Sequence, residues 1–134
     1  MWTAVAVSAF VLGSLAAFGV VLYLKHRKAG THVDYDMAMV ALKQQLRRTP
    51  KDAATHVKIG LLLARQRKFE GAIGALNVAL EIDPRRTDAH YHRGLALLET
   101  GRDDEAHKDF DWIRANSEDA YYKTAVRGMR RKGA

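Results

Sequence analysis

No cysteine occurs among the 134 residues. That excludes every thiolate zinc site and every thiol-based redox centre, and it agrees with a reducing compartment. Proline occurs only at Pro50 and Pro84, which lie 34 residues apart. No charged side chain precedes Lys25. The run WTAVAVSAFVLGSLAAFGVVLYL, residues 2–24, therefore has no place in a small soluble core. As a helix it would rise about 34 Å, enough to cross a hydrocarbon layer of about 30 Å. A secretory signal would need a positive segment ahead of a shorter apolar stretch, and no Lys or Arg stands there. The expectation is an uncleaved single-pass anchor over 1–24, with Trp2 and Tyr23 at its two interfaces.

Lys25, Arg27 and Lys28 follow the run directly, in a short basic linker over 25–33. Cationic flanks stay on the cytoplasmic side, so the N-terminus is expected outside and the remaining residues in the cytoplasm. The Ala- and Arg-rich composition points to a bacterial inner membrane. The basic flank is also placed to touch anionic lipid headgroups. Net charge is +7, gathered between Lys25 and Arg48 and again in the tail from Lys123 to Lys132. An acidic stretch separates these clusters and includes Asp103, Asp104, Glu105, Asp109 and Asp111. No interleaved aromatic and basic groove accompanies the charge, which excludes nucleic acid as the expected partner.

The region that follows speaks twice. LRRTPKDAATHVKIG, residues 46–60, is answered by LEIDPRRTDAHYHRG, residues 80–94. Pro50 and Pro84, His56 and His90, and Gly60 and Gly94 each stand 34 apart. With Pro84 at position 32 of a 34-residue unit, Gly60, Leu63, Phe69, Ala72, Leu76 and Ala79 fall at positions 8, 11, 17, 20, 24 and 27. One period later come Gly94, Leu97, Asp103, Ala106, Phe110 and Ile113. Ile59, Leu62, Leu63, Ile73, Leu76, Leu80 and Ile82 recur at helical spacing. Gly60 with Ala72, and Gly94 with Ala106, are small enough for two helices to approach closely. Gly101 stands where a helix C-terminus calls for a left-handed residue.

This pattern resembles the tetratricopeptide repeat, and the likeness covers residues 34–132. The fold class it implies is all-α: a transmembrane helix followed by a short α-solenoid. A half repeat occupies 34–50, full repeats 53–86 and 87–120, and a capping helix 121–132. Two positions depart from the family pattern. His56 and His90 take position 4 and Arg93 takes position 7, where large apolar residues are usual. The layout is similar to that of membrane-anchored repeat proteins of bacteria and of the mitochondrial outer membrane.

In this family the first helix of each unit lines a concave face. The resemblance assigns Val57, Lys58, Leu61 and Arg65 to that face from the first unit. Tyr91, His92, Leu95 and Leu98 come from the second, and Tyr122 and Met129 from the cap. Chaperone-binding members hold a terminal carboxylate with Asn at position 9. Leu61 and Leu95 stand there, so a peptide segment with apolar anchors is the expected partner. His90 and His92 face apart on a helix and His56 repeats the His90 position, so no metal is expected. No triad, paired-carboxylate cleft or glycine-rich phosphate loop is present, and neither an enzyme nor a cofactor is expected. Asp103, Asp104 and Glu105 read as the acidic first turn of a helix. The function implied is a membrane-tethered, non-catalytic scaffold for protein–protein interaction. The alternative is a small accessory subunit held permanently in a larger membrane complex.

Overall fold

The computed structural model describes residues 35–129. The anchor expected over 1–24 and its flank Lys25, Arg27 and Lys28 lie outside the described residues. Among those described, no helix is long and apolar enough to cross a membrane. The chain divides into two units, Met1–Ala38 and Met39–Ala134, and the packing below concerns the second.

The described residues are helical throughout apart from short turns. Helical backbone runs over 35–48 (α1). It is followed by α2 (Ala53–Arg65), α3 (Phe69–Ile82), α4 (Thr87–Glu99), α5 (Asp103–Asn116) and α6 (Ala120–Val126). Three of the helix starts have a plain local cause. Asp52 caps α2, its carboxylate accepting from the Ala54 amide at 3.1 Å, and Asp119 caps α6 by accepting from the Tyr121 amide at 2.8 Å. Asp103, Asp104 and Glu105 form the first turn of α5, where carboxylates favour the positive helix end.

The turns after α2 and α4 are the same structure built twice. The Lys68 amide donates to the Leu63 carbonyl at 2.9 Å, and the Arg67 amide to Ala64 at 2.9 Å. In the second unit Arg102 donates to Leu97 at 2.9 Å and Gly101 to Leu98 at 3.1 Å. This is the Schellman arrangement, which needs a left-handed residue just past the helix. Gly101 supplies it with φ of 75° and Arg67 with φ of 59°. Each turn folds its helix pair into a hairpin, α2 on α3 and α4 on α5, while α3 also packs on α4 and α5 on α6.

The glycines at position 8 are where the hairpin helices touch. A Cβ at Gly60 would lie 2.7 Å from Leu76 Cγ, and one at Gly94 would lie 2.5 Å from Phe110 Cε1. Two apolar clusters result. One gathers Val57, Leu76, Ala79, Leu80 and Ala89. The other gathers Ala72, Ile73, Ala96, Leu97, Ala106, Phe110, Ile113 and Val126. Of the periodic apolar residues in the first unit, Leu62, Ile73, Leu76 and Leu80 are buried, while Ile59, Leu63 and Ile82 are half-buried.

Of the closing helix expected over 121–132, residues 130–132 lie outside the described residues, and α6 covers Ala120–Val126. It ends at Val126 and passes into a turn, with the Met129 amide on the Val126 carbonyl at 3.0 Å. Gly128 meets nothing within 4 Å of an added Cβ, so none of the described helices crosses it there. Arg114 closes the end instead, donating to the Met129 carbonyl at 2.6 Å.

Candidate functional site

The first helices of successive units lie side by side, α2 against α4 and α4 against α6. Residues 91, 95 and 98 share one stripe of α4, since three or four residues make one turn. Tyr91, Leu95 and Leu98 are all half-buried against the core cluster that Phe110 heads, as are Tyr122 and Met129. Tyr91 and Tyr122 bring their rings to 5.2 Å across the α4–α6 junction. His92 meets Tyr91 edge-on at 5.2 Å, and Tyr121 meets Tyr122 edge-on at 5.1 Å. The result is a run of four rings with an aliphatic floor. Tyr121 is the outermost, with 67% of its surface exposed.

The charges around this run are arranged rather than scattered. Asp88 lies on α4 one turn before Tyr91 and His92, and Arg86 grips it through Nε at 3.0 Å and Nη2 at 2.6 Å. Burial pushes the Asp88 carboxyl up, but the Arg86 fork together with the Ala89 amide and His92 outweighs it, and the net shift is downward. Burial lowers the His92 imidazole below its ordinary value; the Asp88 charge opposes this and Arg65 adds to it. Burial raises the Tyr122 phenol, with Asp88 reinforcing the effect.

The residues assigned to a concave face from the sequence thus divide. Tyr91, His92 and Tyr122 form the ring cluster, with Arg65 and Asp88 near enough to act on His92. Leu95, Leu98 and Met129 are half-buried against the larger cluster, while Leu61 packs half-buried on the first cluster. Lys58 and Arg65 are exposed. Val57 is different. It is 5% exposed and packs with Leu76, Leu80 and Ala89, so its side chain belongs to the core between the units and not to a surface. Asp88 and Tyr121 were missed. Asp88 stands at position 2 of the second unit, and that phase was the signal available for it.

The family departures at His90 and Arg93 have a structural account. His90 places Nδ1 2.8 Å from Asp109 Oδ1 and Nε2 3.0 Å from the Pro84 carbonyl oxygen, with its ring stacked on Trp112 at 3.9 Å. Arg93 donates to the same carboxylate through Nε at 2.8 Å and Nη2 at 2.6 Å, and reaches Asn77 Oδ1 at 2.8 Å. Asp109 is only 3% exposed. It is therefore an interior ion and not part of the acidic surface that its neighbours suggest. Burial pushes its carboxyl up, but the bonds from Arg93 and His90 overcome this and hold it below the usual carboxylate value. His56 repeats only part of the pattern, with Nε2 3.4 Å from the Pro50 carbonyl oxygen. Among the described residues, no three His, Asp or Glu side chains converge as a metal would require.

Three comparisons bear on this geometry. The sequence model of the tetratricopeptide repeat matches residues 34–87 and again 57–120. A curated relative, a lipoprotein NlpI homologue of Haemophilus influenzae, is 32% identical over 88 residues. The match takes in 65% of this chain and 28% of that protein, so the chain spans little more than a quarter of the relative's length. Among solved structures, the first TPR of Spaghetti (RPAP3) bound to an HSP90 peptide superposes with a TM-score of 0.65 at 22% identity, covering 82% of this chain and 88% of the other. The TPR2B domain of yeast Sti1, in complex with an Hsp70 peptide, gives 0.64 at 23% identity over 77% and 82%. At these identities the two structures establish the fold alone.

Proposed function

From the premise that this chain belongs to the tetratricopeptide repeat family, we propose that it is a membrane-tethered, non-catalytic adaptor that binds a protein segment on the α2–α4–α6 face. The observation that carries the reading is the ring cluster of Tyr91, His92, Tyr122 and Tyr121 over half-buried Leu95 and Met129. Such a surface rewards apolar and aromatic anchors, which desolvate at little cost, and its rings lose little side-chain freedom on binding. Lys58 and Arg65 on α2 and the held Asp88 would orient the segment. The two chaperone-peptide complexes share the fold, but position 9 is Leu61 and Leu95 here. The partner is therefore a segment with apolar anchors and not a terminal carboxylate.

Tethering rests on the uncharged run 1–24 and on the cationic flank of Lys25, Arg27 and Lys28, which orients the repeat region to the cytoplasm. The Haemophilus relative is by name a lipoprotein homologue, which supports membrane association in a related chain. No cysteine in these 134 residues offers a thiol for a lipid, so in this reading the apolar run is the attachment.

The test places a photoreactive residue at Tyr121 in native membranes and identifies the crosslinked chain by mass spectrometry. The capture is then repeated with Leu95→Glu. Capture lost in a variant that keeps its helical circular dichroism supports the face. Capture retained at full yield removes it. A constant detergent-extracted mass far above 15 kDa with fixed stoichiometry would identify a permanent subunit of a complex. Protease cleavage of the repeat region from outside intact cells would overturn the orientation.

A further inference from the structure

A second site lies on another side of α4. Arg93 follows Tyr91 by two residues, about 200° around the helix, and so faces away from the aromatic run. There a cleft of about 180 Å³ opens among α3, α4 and α5, with Ile73 and Leu97 as its apolar part. Its polar lining is Asn77, Arg93, Arg102, Glu105, Lys108 and Asp109. We propose that this cleft binds a single oxyanionic group, a carboxylate or a phosphate.

The argument is an inventory of donors. Both carboxylates in the cleft are consumed by guanidinium forks. Asp109 is held by Arg93 Nε and Nη2 at 2.8 and 2.6 Å, and Glu105 by Arg102 Nε and Nη2 at 2.8 and 2.7 Å. Each fork is close to neutral in itself and uses only part of its guanidinium, and Arg102 Nη1 also lies 3.7 Å from the exposed Glu70 carboxylate. Arg93 has five N–H groups and three are engaged, the third on Asn77 Oδ1 at 2.8 Å. That bond also fixes the Asn77 amide: its oxygen turns to Arg93, so its NH2 remains a donor. Lys108 is then the decisive group. No ion pair within 4 Å engages it among the described residues, so its ammonium is the cation of the cleft that no carboxylate holds in direct contact, Glu105 acting on it only from farther away.

Size narrows the ligand. Pockets for whole small molecules run from about 300 Å³ upward, and 180 Å³ suits one acidic group with its first carbon or phosphorus. Preformed forks and a fixed amide mean that little reorganisation accompanies binding. The site does not depend on the aromatic face, so either can fail without the other.

The test uses the full chain in a non-ionic detergent free of phosphate. Side-chain NMR follows the Asn77 NH2 and the Arg93 Nε–H during titration with sodium phosphate and, separately, sodium acetate, with ionic strength held by chloride. The expected result is a saturable shift at both groups. Lys108→Ala should weaken binding about two- to fivefold, the range given by an exposed charge pair, and Lys108→Arg should restore it. Saturation by both anions identifies carboxylate as sufficient, so that an acidic side chain can occupy the cleft. Saturation by phosphate alone identifies the phosphate group. Shifts that stay linear, or that are unchanged in Lys108→Ala, overturn the proposal. Lys108 is exposed and its removal leaves the core intact, so unfolding does not confuse the result.

Discussion

Gly94→Ala and Gly74→Ala make the same chemical change in two helices and should move stability in opposite directions. In each, alanine gains about 1 kcal/mol of helix propensity over glycine. At Gly74 the new methyl meets nothing within 4 Å, so that gain stands. At Gly94 it would lie 2.5 Å from Phe110 Cε1, 2.9 Å from Cζ and 3.1 Å from Cδ1. The Phe110 ring is 0% exposed and packed into the larger core cluster. The cluster encloses it, and carbon contacts relax only near 3.5 Å or beyond. Overpacking of this kind costs about 1–3 kcal/mol, and a rigid, enclosed ring belongs at the upper end. The net expectation for Gly94→Ala is a loss of about 2 kcal/mol, lowering Tm by about 8 °C or more in a domain of this size. Gly74→Ala should raise Tm by about 4 °C or more on the same scale. Circular dichroism at 222 nm on the full chain reads both. The double variant Gly94→Ala with Phe110→Leu should cost less than the two single changes added, because the smaller side chain vacates the point of collision. A Gly94→Ala protein that melts at or above the wild type, or single changes that simply add, would refute the close approach of α4 and α5.

Arg67→Gly should stabilise by about 0.5 kcal/mol. It relieves about 1–2 kcal/mol of left-handed strain, offset by glycine's freedom in the unfolded chain and by loss of the exposed Glu99 pair and the Phe69 ring contact. Gly101→Arg should lower the urea midpoint, since the same turn then loses its glycine. Acid should destabilise the domain through Asp109. Its folded pKa lies below the unfolded value near 3.8, so its contribution is fully present above that value and is lost as pH falls from there through the folded pKa. Asp109→Asn should flatten this acid limb in urea midpoints measured against pH. It should also cost about 3 kcal/mol at neutral pH by leaving Arg93 without its carboxylate.

The repeat was legible because its signals are local and periodic. Two prolines, two histidines and two glycines in phase fix a 34-residue unit, and Gly60 and Gly94 mark helix contacts because only small residues fit there. Gly101 announced its turn, whereas Arg67, in the same conformation 34 residues earlier, announced nothing. In the first unit the two hydrogen bonds of the turn hold a non-glycine residue in place against its own preference. The assignment of Val57 failed for a related reason. A family phase places a residue on a helix face, but α3 and the start of α4 cover that face at Val57. Asp109 was the least legible. It sits in a run of acids whose members are otherwise solvated, and its partners are 16 and 19 residues away on another helix.

Compared position by position, the two units show why His90 and Arg93 depart from the family pattern together. In the first unit the residues equivalent to Arg93, Asp109 and Trp112 are Ile59, Ala75 and Val78. There the histidine keeps only its long contact to the proline carbonyl. In the second unit all three positions change. A buried carboxylate alone would be severely destabilising, since it loses hydration and gains nothing. Arg93 makes it tolerable, and Arg93 in turn reaches Asn77 on α3. The network therefore ties the second helix pair to the first through directional bonds, where apolar side chains would accept several registers. Trp112 completes it by covering the His90 face at 3.9 Å and limiting water near the ions. Two stacked units have only one internal junction between full repeats, and its alignment sets the α2–α4–α6 surface on which Tyr91 meets Tyr122. The polar interior on one side of α4 thus fixes the geometry of the aromatic face on the other.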